Sequence, residues 1–307
     1  MTRNYLFIVN PNAGNSKAGK DWTRIEKLLQ KRKVKYKAML TTQSGHALDI
    51  ISEELQMGYK TIVVVGGDGT LNEVVNGIFN QKIVPPNEIQ MGIIPVGTGN
   101  DWAHYYNIPR KYNKALDRIF NHETHFQDVG RVRYTYKDKE TISYFVNISG
   151  FGFDAVVAKS TNEMQERGNR AAITYLFNLM RCLFSHEAEE LNLFINDKHI
   201  KQKIFSMSIG NGKYSGGGMR QTPDAKTNDG LFDITVYDDM PAWKIIINLP
   251  RLYNGKIKKL HTVKTFRTSK LLVYNSNKPL LAEIDGELIK GIRFEIEILP
   301  SALQILV

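Results

Sequence analysis

An apolar run from Thr61 to Val65 breaks directly into Gly66-Gly67-Asp68-Gly69-Thr70, and few architectures accept that order. An apolar strand without alternation is covered on both faces, as parallel strands are. Glycines at its end permit a tight turn and close approach of backbone to a ligand. Thr70 with Glu73 three residues on has the form of a capping box, which predicts a helix from Leu71 whose free N–H groups and positive dipole end face the loop. Strand, glycine loop and helix N-terminus together predict a phosphate site. A carboxylate at Asp68 repels phosphate unless a divalent cation lies between them, so a nucleotide here implies Mg2+. The local alternative is an ordinary strand-to-helix turn.

The same β-loop-α unit recurs on both sides. Tyr5 to Val9 ends at Asn10-Pro11-Asn12-Ala13-Gly14 and leads to a helical pattern through Trp22, Ile25, Leu28 and Leu29; Lys35 to Leu40 is a second strand and Ala47 to Met57 a second helix. After a helix Leu71 to Phe79, Met91 to Pro95 runs into a second glycine loop, Val96 to Asp101. Alternation of this kind builds a parallel sheet, and the loops at Asn10, Thr41, Gly66 and Gly97 then share the rim where such sheets bind ligands.

From Phe126 the pattern changes. Arg131 to Tyr136 and Thr141 to Ile148 flank the turn Lys137-Asp138-Lys139, and strand-like runs follow at Leu191–Ile195, Ile204–Ile209, Leu231–Tyr237, Thr262–Thr268, Lys270–Tyr274, Leu280–Ile284 and Arg293–Ile298. Short strands at this spacing predict a β-sandwich. One apolar helix, Ala171 to Phe184, interrupts them; its stripe of Leu176, Leu179, Met180 and Leu183 reads first as core and second as a lipid-facing surface. The expected fold is α/β in two domains with the active site in the cleft between them. Residues 1–130 form a parallel α/β nucleotide-binding domain, with 299–307 a candidate extra strand, and residues 131–298 form the sandwich.

Charge and cysteine content narrow the partners. A net charge of +10 suits an anionic one, whether nucleotide, nucleic acid or membrane surface. The single Cys182 excludes an internal disulfide and a Cys-cluster zinc site, and fits a reducing cytoplasm. Neither a signal peptide nor a spanning apolar segment is present, so membrane contact is expected to be peripheral.

Several motifs, read together, carry a resemblance: Asn10-Pro11-x-Ala13-Gly14, Gly66-Gly67-Asp68-Gly69-Thr70-Leu71-Asn72-Glu73, Pro95-x-Gly97-Thr98-x-Asn100-Asp101, Gly210-Asn211-Gly212 with Gly216-Gly217-Gly218, Pro223-x-Ala225, Asp229-Gly230 and Asp285-Gly286-Glu287. In these the chain resembles the diacylglycerol kinase catalytic-domain proteins, which include sphingosine kinases and soluble bacterial lipid kinases. The resemblance implies ATP- and Mg2+-dependent transfer of the γ-phosphate to a lipid hydroxyl, with diacylglycerol the first-ranked acceptor. ATP is then expected on Asn10, Pro11, Asn12, Ala13, Gly14, Thr41, Gly66, Gly67, Asp68, Gly69, Thr70, Leu71, Asn72, Glu73 and Thr98. Asp68, Asp101 and Asp128 are the expected acidic network for the catalytic Mg2+, and the Asp229 carboxylate with the Lys226 and Leu231 carbonyls the expected site of a structural one. Asp285 or Glu287 is the expected general base, with Asp68 the third catalytic carboxylate.

On local grounds alone Asp101 reads equally as a helix cap, and Asp285-Gly286 as a hairpin turn. Two other functions compete. NAD kinases share the Gly-Gly-Asp-Gly-Thr loop but lack the Pro-x-Gly-Thr-x-Asn-Asp form and the terminal Asp-Gly-Glu. A non-catalytic nucleotide- or nucleic-acid-binding protein accounts for the charge and the Tyr-rich strands, but leaves the acidic and glycine motifs unused. The expected partners are therefore a lipid substrate and an anionic membrane surface rather than nucleic acid, with a homodimer left open.

Overall fold

The computed structural model describes residues 4–166 and 172–307. The first half alternates as the sequence predicts: β1 (Tyr5–Val9), α1 (Ala13–Lys31), β2 (Tyr36–Leu40), α2 (His46–Gln56), β3 (Thr61–Gly66), α3 (Asp68–Asn80), β4 (Gln90–Pro95) and α4 (Asp101–Tyr105), to which the fold adds α5 (Tyr112–Asn121), a helix absent from the sequence reading. β1 lies between β2 and β3, and β4 extends the sheet beyond β3, all parallel. The residues of β1 and β3 are buried throughout, as strands covered on both faces must be.

The second half comprises β5 (Thr124–Tyr136), β6 (Lys139–Phe145), β7 (Ile148–Gly152), α6 (Phe153–Glu166), α7 (Ala172–Ser185), β8 (Glu189–Ile195), β9 (Lys198–Gly210), β10 (Tyr214–Ser215), β11 (Met219–Arg220), β12 (Phe232–Asp238), α8 (Ala242–Tyr253), β13 (Val263–Thr268), β14 (Lys270–Tyr274), β15 (Leu280–Ile284), β16 (Glu287–Gly291) and β17 (Arg293–Leu306). Here pairing is antiparallel, and the strands close over a second apolar core that includes Phe151, Phe232 and Phe294. Lys137 and Asp138 both have positive φ, the conformation of the tightest hairpin turns, and so join β5 to β6.

Two strands tie the halves together. β5 and β17 pair antiparallel from Thr135 and Arg293 down to Thr124 and Leu306, and β17 ends parallel to β4 at Gln304 and Ile305. The last strand therefore joins the parallel strands, and the chain passes between the halves within β5 and β17, inside one continuous sheet.

Several elements differ from the sequence reading. α3 begins at Asp68, not Leu71, and the Thr70–Glu73 capping box does not form. The Thr70 hydroxyl instead accepts a hydrogen bond from Asn10 Nδ2 at 2.9 Å, and Glu73 accepts one from Ser44, so both side chains tie loops together. α6 and α8 lie where only strands and loops are expected. The apolar helix runs from Ala172 to Ser185; Ala171 and the side chain of Leu176 fall outside the described residues, while Leu179, Met180 and Leu183 line a cavity rather than a closed core.

Candidate active site

The four strand-end loops of the parallel sheet do converge. They form one end of a cavity of about 1060 Å³ that continues into the second half. Of the residues expected to hold ATP, all but Pro11, Gly66 and Asn72 line it. Pro11 underlies α1, where its carbonyl accepts the Gly19 N–H at 3.1 Å, and Gly66 packs beneath Thr70. Asn72 is buried, and its amide nitrogen donates to the Tyr144 carbonyl at 3.0 Å and reaches an Asp285 oxygen at 3.4 Å.

Backbone geometry shapes this end. Gly14, Asn15 and Ser16 stand consecutively at φ near +60°, a conformation that costs energy in the two non-glycine residues and that concentrates in ligand-holding loops. A Cβ on Gly14 would lie 2.1 Å from the Val96 carbonyl oxygen. The two glycine loops also touch, since a Cβ on Gly97 would lie 2.5 Å from Gly67 Cα, whereas at Gly69 a Cβ meets open space. Contact between the loops therefore requires Gly97, and Gly69 leaves room for a guest.

At the centre stand two carboxylates without an ion-pair partner among the described residues. Asp68 accepts the N–H groups of Asp101 and Trp102 at 3.1 and 3.2 Å and so holds the first turn of α4. Burial, and then the neighbouring Asp101 charge, push its carboxyl up to about 6. Asp101 is not a helix cap. Its oxygens reach across the cleft to the Gly217 and Gly218 N–H groups at 2.9 and 2.7 Å, and those glycines, with Gly216, hold the positive φ that turns β10 into β11. The Gly216-Gly217-Gly218 motif is thus a clamp between the halves.

Asp128, expected to complete an acidic trio with Asp68 and Asp101, does not line the cavity. Its carboxylate oxygens accept the Gly230 and Ser301 N–H groups, each at 2.7 Å, and tie the 222–231 loop to β17. Asp229 is engaged by Arg267 and by the Leu231 N–H, and Lys226 is exposed on the same loop, so a cation taking the Asp229 carboxylate there competes with a guanidinium. Among the described residues no three of His, Cys, Asp and Glu are grouped as metal ligands. Asp68 and Asp101 nevertheless suit a Mg2+ that arrives with phosphates, because such an ion takes one or two carboxylates and draws its other ligands from nucleotide and water.

Asp285 and Glu287 follow β15 and face the same centre, and the structure gives them different surroundings. Asp285 at φ +46° and Gly286 at φ +94° make the β15–β16 hairpin turn, so the turn reading holds. The Asp285 carboxylate also accepts three backbone N–H groups, from Val146 at 2.8 Å, Asn147 at 3.1 Å and Ile148 at 2.9 Å. Burial raises its carboxyl to about 6 against the opposing pull of those bonds. The Glu287 carboxylate makes no hydrogen bond within the described residues and is exposed to the cavity; desolvation by burial, then the Glu73 charge, raise its pKa.

Beyond these carboxylates lies a polar floor that the sequence reading missed. Asp154, at the start of α6, and Glu283, on β15, both line the cavity, with burial pushing Asp154 up to about 6 and Glu283 well above the ordinary range. The hydroxyls of Tyr237 and Thr161 are buried there without a hydrogen-bond partner among the described residues. Gly150-Phe151-Gly152 before Asp154 is the local signal: a Cβ on Gly150 would lie 2.7 Å from Asp154 Cβ, and Gly152 has positive φ. The outer end is walled by apolar side chains of α6, α7 and α8, including Val157, Leu183 and Leu252.

Asp154 gives a pH test. Its folded pKa lies above the unfolded value of 3.8, so the native state holds the proton more tightly, and the group's contribution to stability falls as pH rises from about 4 to about 6. Asp154→Asn removes that dependence. Its stability relative to wild type is expected to improve by about 2–3 kcal/mol between pH 4 and pH 7, at roughly 1.4 kcal/mol per unit. Denaturant midpoints across that range measure it, and parallel profiles for the two proteins contradict it.

Comparison with known proteins agrees with this fold. The diacylglycerol kinase catalytic domain family matches residues 4–132, and the family of YegS C-terminal NAD kinase β-sandwich-like domains matches residues 147–307. The chain is 28% identical to the Bacillus subtilis protein named "Putative lipid kinase YtlR" over 98% of both chains. It is 29% identical to a "Probable lipid kinase YegS-like" of Yersinia pestis over 86% of this chain and 84% of that one. A Bacillus anthracis crystal structure titled as a diacylglycerol kinase superposes at a TM-score of 0.72 with 19% identity, covering 99% of this chain and 96% of that one, and shows the shared fold. The chain belongs to the lipid kinase family in which a diacylglycerol kinase catalytic domain precedes a YegS-type β-sandwich domain.

Proposed function

We propose that this lipid kinase transfers the γ-phosphoryl group of ATP to the free hydroxyl of a diacylglycerol. One observation carries the reading: a single cavity runs from the strand-end loops, past Asp68, Asp101 and Glu287, to apolar walls on α6, α7 and α8. Phosphoryl transfer requires positioning of phosphates and nucleophile rather than covalent chemistry by the protein. The strand-end loops and the N-terminus of α3 would receive the phosphates. Asp68 and Asp101 would hold a Mg2+ that arrives with ATP, and that ion would neutralise charge on the phosphates. The lipid oxygen bonds to the γ-phosphorus as the bond to the β–γ bridging oxygen breaks; ADP leaves, and the hydroxyl proton passes to Glu287. Asp285 holds the 146–148 backbone in place beside it.

The buried hydroxyls of Tyr237 and Thr161 favour an acylglycerol among the lipids, since an unpaired buried donor gains most from an acceptor, and ester carbonyls are acceptors that a polyprenol lacks. An NAD acceptor leaves the apolar end without a use. The test is incubation with labelled ATP and Mg2+ of vesicles containing diacylglycerol, a sphingoid base or a polyprenol, with NAD as a separate arm. Labelled phosphatidic acid as the main product is expected. Faster labelling of polyprenol or of NAD overturns the acceptor assignment.

A further inference from the structure

The lipid acceptor has to enter from somewhere, and α8 differs from every other helix of comparable length. None of its residues is buried, although it reads Ala-Trp-Lys-Ile-Ile-Ile-Asn-Leu-Pro-Arg-Leu-Tyr. One face, Ile245, Asn248, Leu249 and Leu252 at helical spacing, lines the cavity. The opposite face presents Trp243, 57% exposed, and Ile247, 67% exposed, with Pro250 and Tyr253 beside them. A helix apolar on two opposite sides suits neither a core, which would bury it, nor a water-facing surface, which would make its outer side polar. α7 repeats the pattern: Leu179, Met180 and Leu183 face the cavity, while Phe177 and Phe184, seven residues apart, are 71% and 68% exposed.

Charge identifies what covers these faces. Residues 242–260 carry Lys244, Arg251, Lys256, Lys258 and Lys259 and no acidic residue. Among the described residues only Lys258 of these five has an ion pair, with Asp224. The Lys244 ammonium lies 5.6 Å from the centre of the Trp243 ring, so cation and aromatic share one edge. Exposed aromatics among cations are the composition of a helix lying in the headgroup region of an anionic bilayer. A second copy of this chain would set the same five cations against themselves across a two-fold axis. A bilayer supplies anionic headgroups, and its acyl region is continuous with the apolar end of the cavity.

We infer that the outer faces of α7 and α8 form the membrane-docking surface, with α8 lying in the interface and its inner face serving as the wall past which the lipid's acyl chains enter. The inference rests on the lipid-acceptor reading, and its test has a readout independent of activity. Trp243 is the exposed tryptophan, Trp22 and Trp102 being buried. With phosphatidylglycerol vesicles brominated on their acyl chains, the emission of the full-length protein is expected to shift to the blue and to be quenched, and Trp243→Phe to lose both effects. Ile247→Asp, on the face away from the cavity, is expected to weaken vesicle partitioning by about 10-fold or more and to cut turnover of vesicle-embedded diacylglycerol, while turnover of a short-chain, water-dispersed diacylglycerol is unchanged.

Quenching without phosphorylation of any lipid would sustain the docking surface and remove the acceptor reading. Absence of quenching, with Ile247→Asp binding vesicles like wild type, overturns the docking surface whatever the activity. An Ile247→Asp variant that turns a dimer into a monomer but still binds vesicles shows a second copy on this face and overturns it as well.

Discussion

Glu287→Gln is expected to lower kcat for the lipid by about 10²- to 10⁴-fold with little change in nucleotide affinity, the signature of losing a base that acts only in the chemical step. Its carboxylate is uncommitted in the cavity, whereas that of Asp285 is taken up by three backbone N–H groups. Asp285→Asn is expected to fail differently. An amide offers one accepting oxygen and turns an NH2 toward donors, so at least one buried N–H loses its partner, and unfolding stability should drop by about 1–3 kcal/mol along with activity. Turnover, the KM for ATP and the melting temperature, measured on both variants, separate the roles; a stable Asp285→Asn that has lost only kcat, beside an active Glu287→Gln, would reverse them. The acid limb of the pH profile adds a sign. A base must be ionised to act, and partial burial with the Glu73 charge raises the pKa of Glu287, so the activity limb belongs above the ordinary glutamate range. Glu73→Gln removes one cause and should move the limb to lower pH.

What the sequence made legible was local and backbone-driven. Alternating strand and helix runs placed four strand-end loops on one rim, because loop position in a parallel sheet follows from element order alone. The Asp285 turn was legible from its Asp-Gly pair. Side-chain partnerships distant in sequence were not. The partners of Asp101 lie 116 and 117 residues away, in a glycine turn that local reading leaves as a loop. Asp128 has the residue type of a metal ligand, but it stands outside the cavity, tied to two N–H groups far along the chain. The Thr70–Glu73 pattern failed because Asn10, 60 residues away, offered the hydroxyl a better partner than the helix end. α8 escaped notice because Pro250 interrupts its pattern. The cavity floor depends on α6 meeting β7, β9 and β15, a packing decided by the fold and not by any one stretch.

Asp68→Ala is expected to abolish phosphoryl transfer, a fall of about 10²- to 10³-fold or more for a preorganised charge at the transferring phosphate, and to reduce stability as well. An expectation of a nearly intact fold follows if the carboxylate serves the nucleotide alone. The structure gives it a second task, because the Asp101 and Trp102 N–H groups end on it. Truncation leaves both donors unpaired at about 1–3 kcal/mol each, and it loosens the turn from which Asp101 reaches Gly217 and Gly218. Asp68→Asn separates the two tasks, since its amide oxygen still accepts from α4 while its charge is gone. Activity lost in both variants, with most of the stability recovered in the Asn form, is the expected pattern, read by turnover and by the melting temperature with and without Mg2+-nucleotide. Wild-type turnover by Asp68→Asn would restrict Asp68 to holding α4, and the carboxylate facing the phosphates would then be Asp101, whose own position depends on the turn that Asp68 secures.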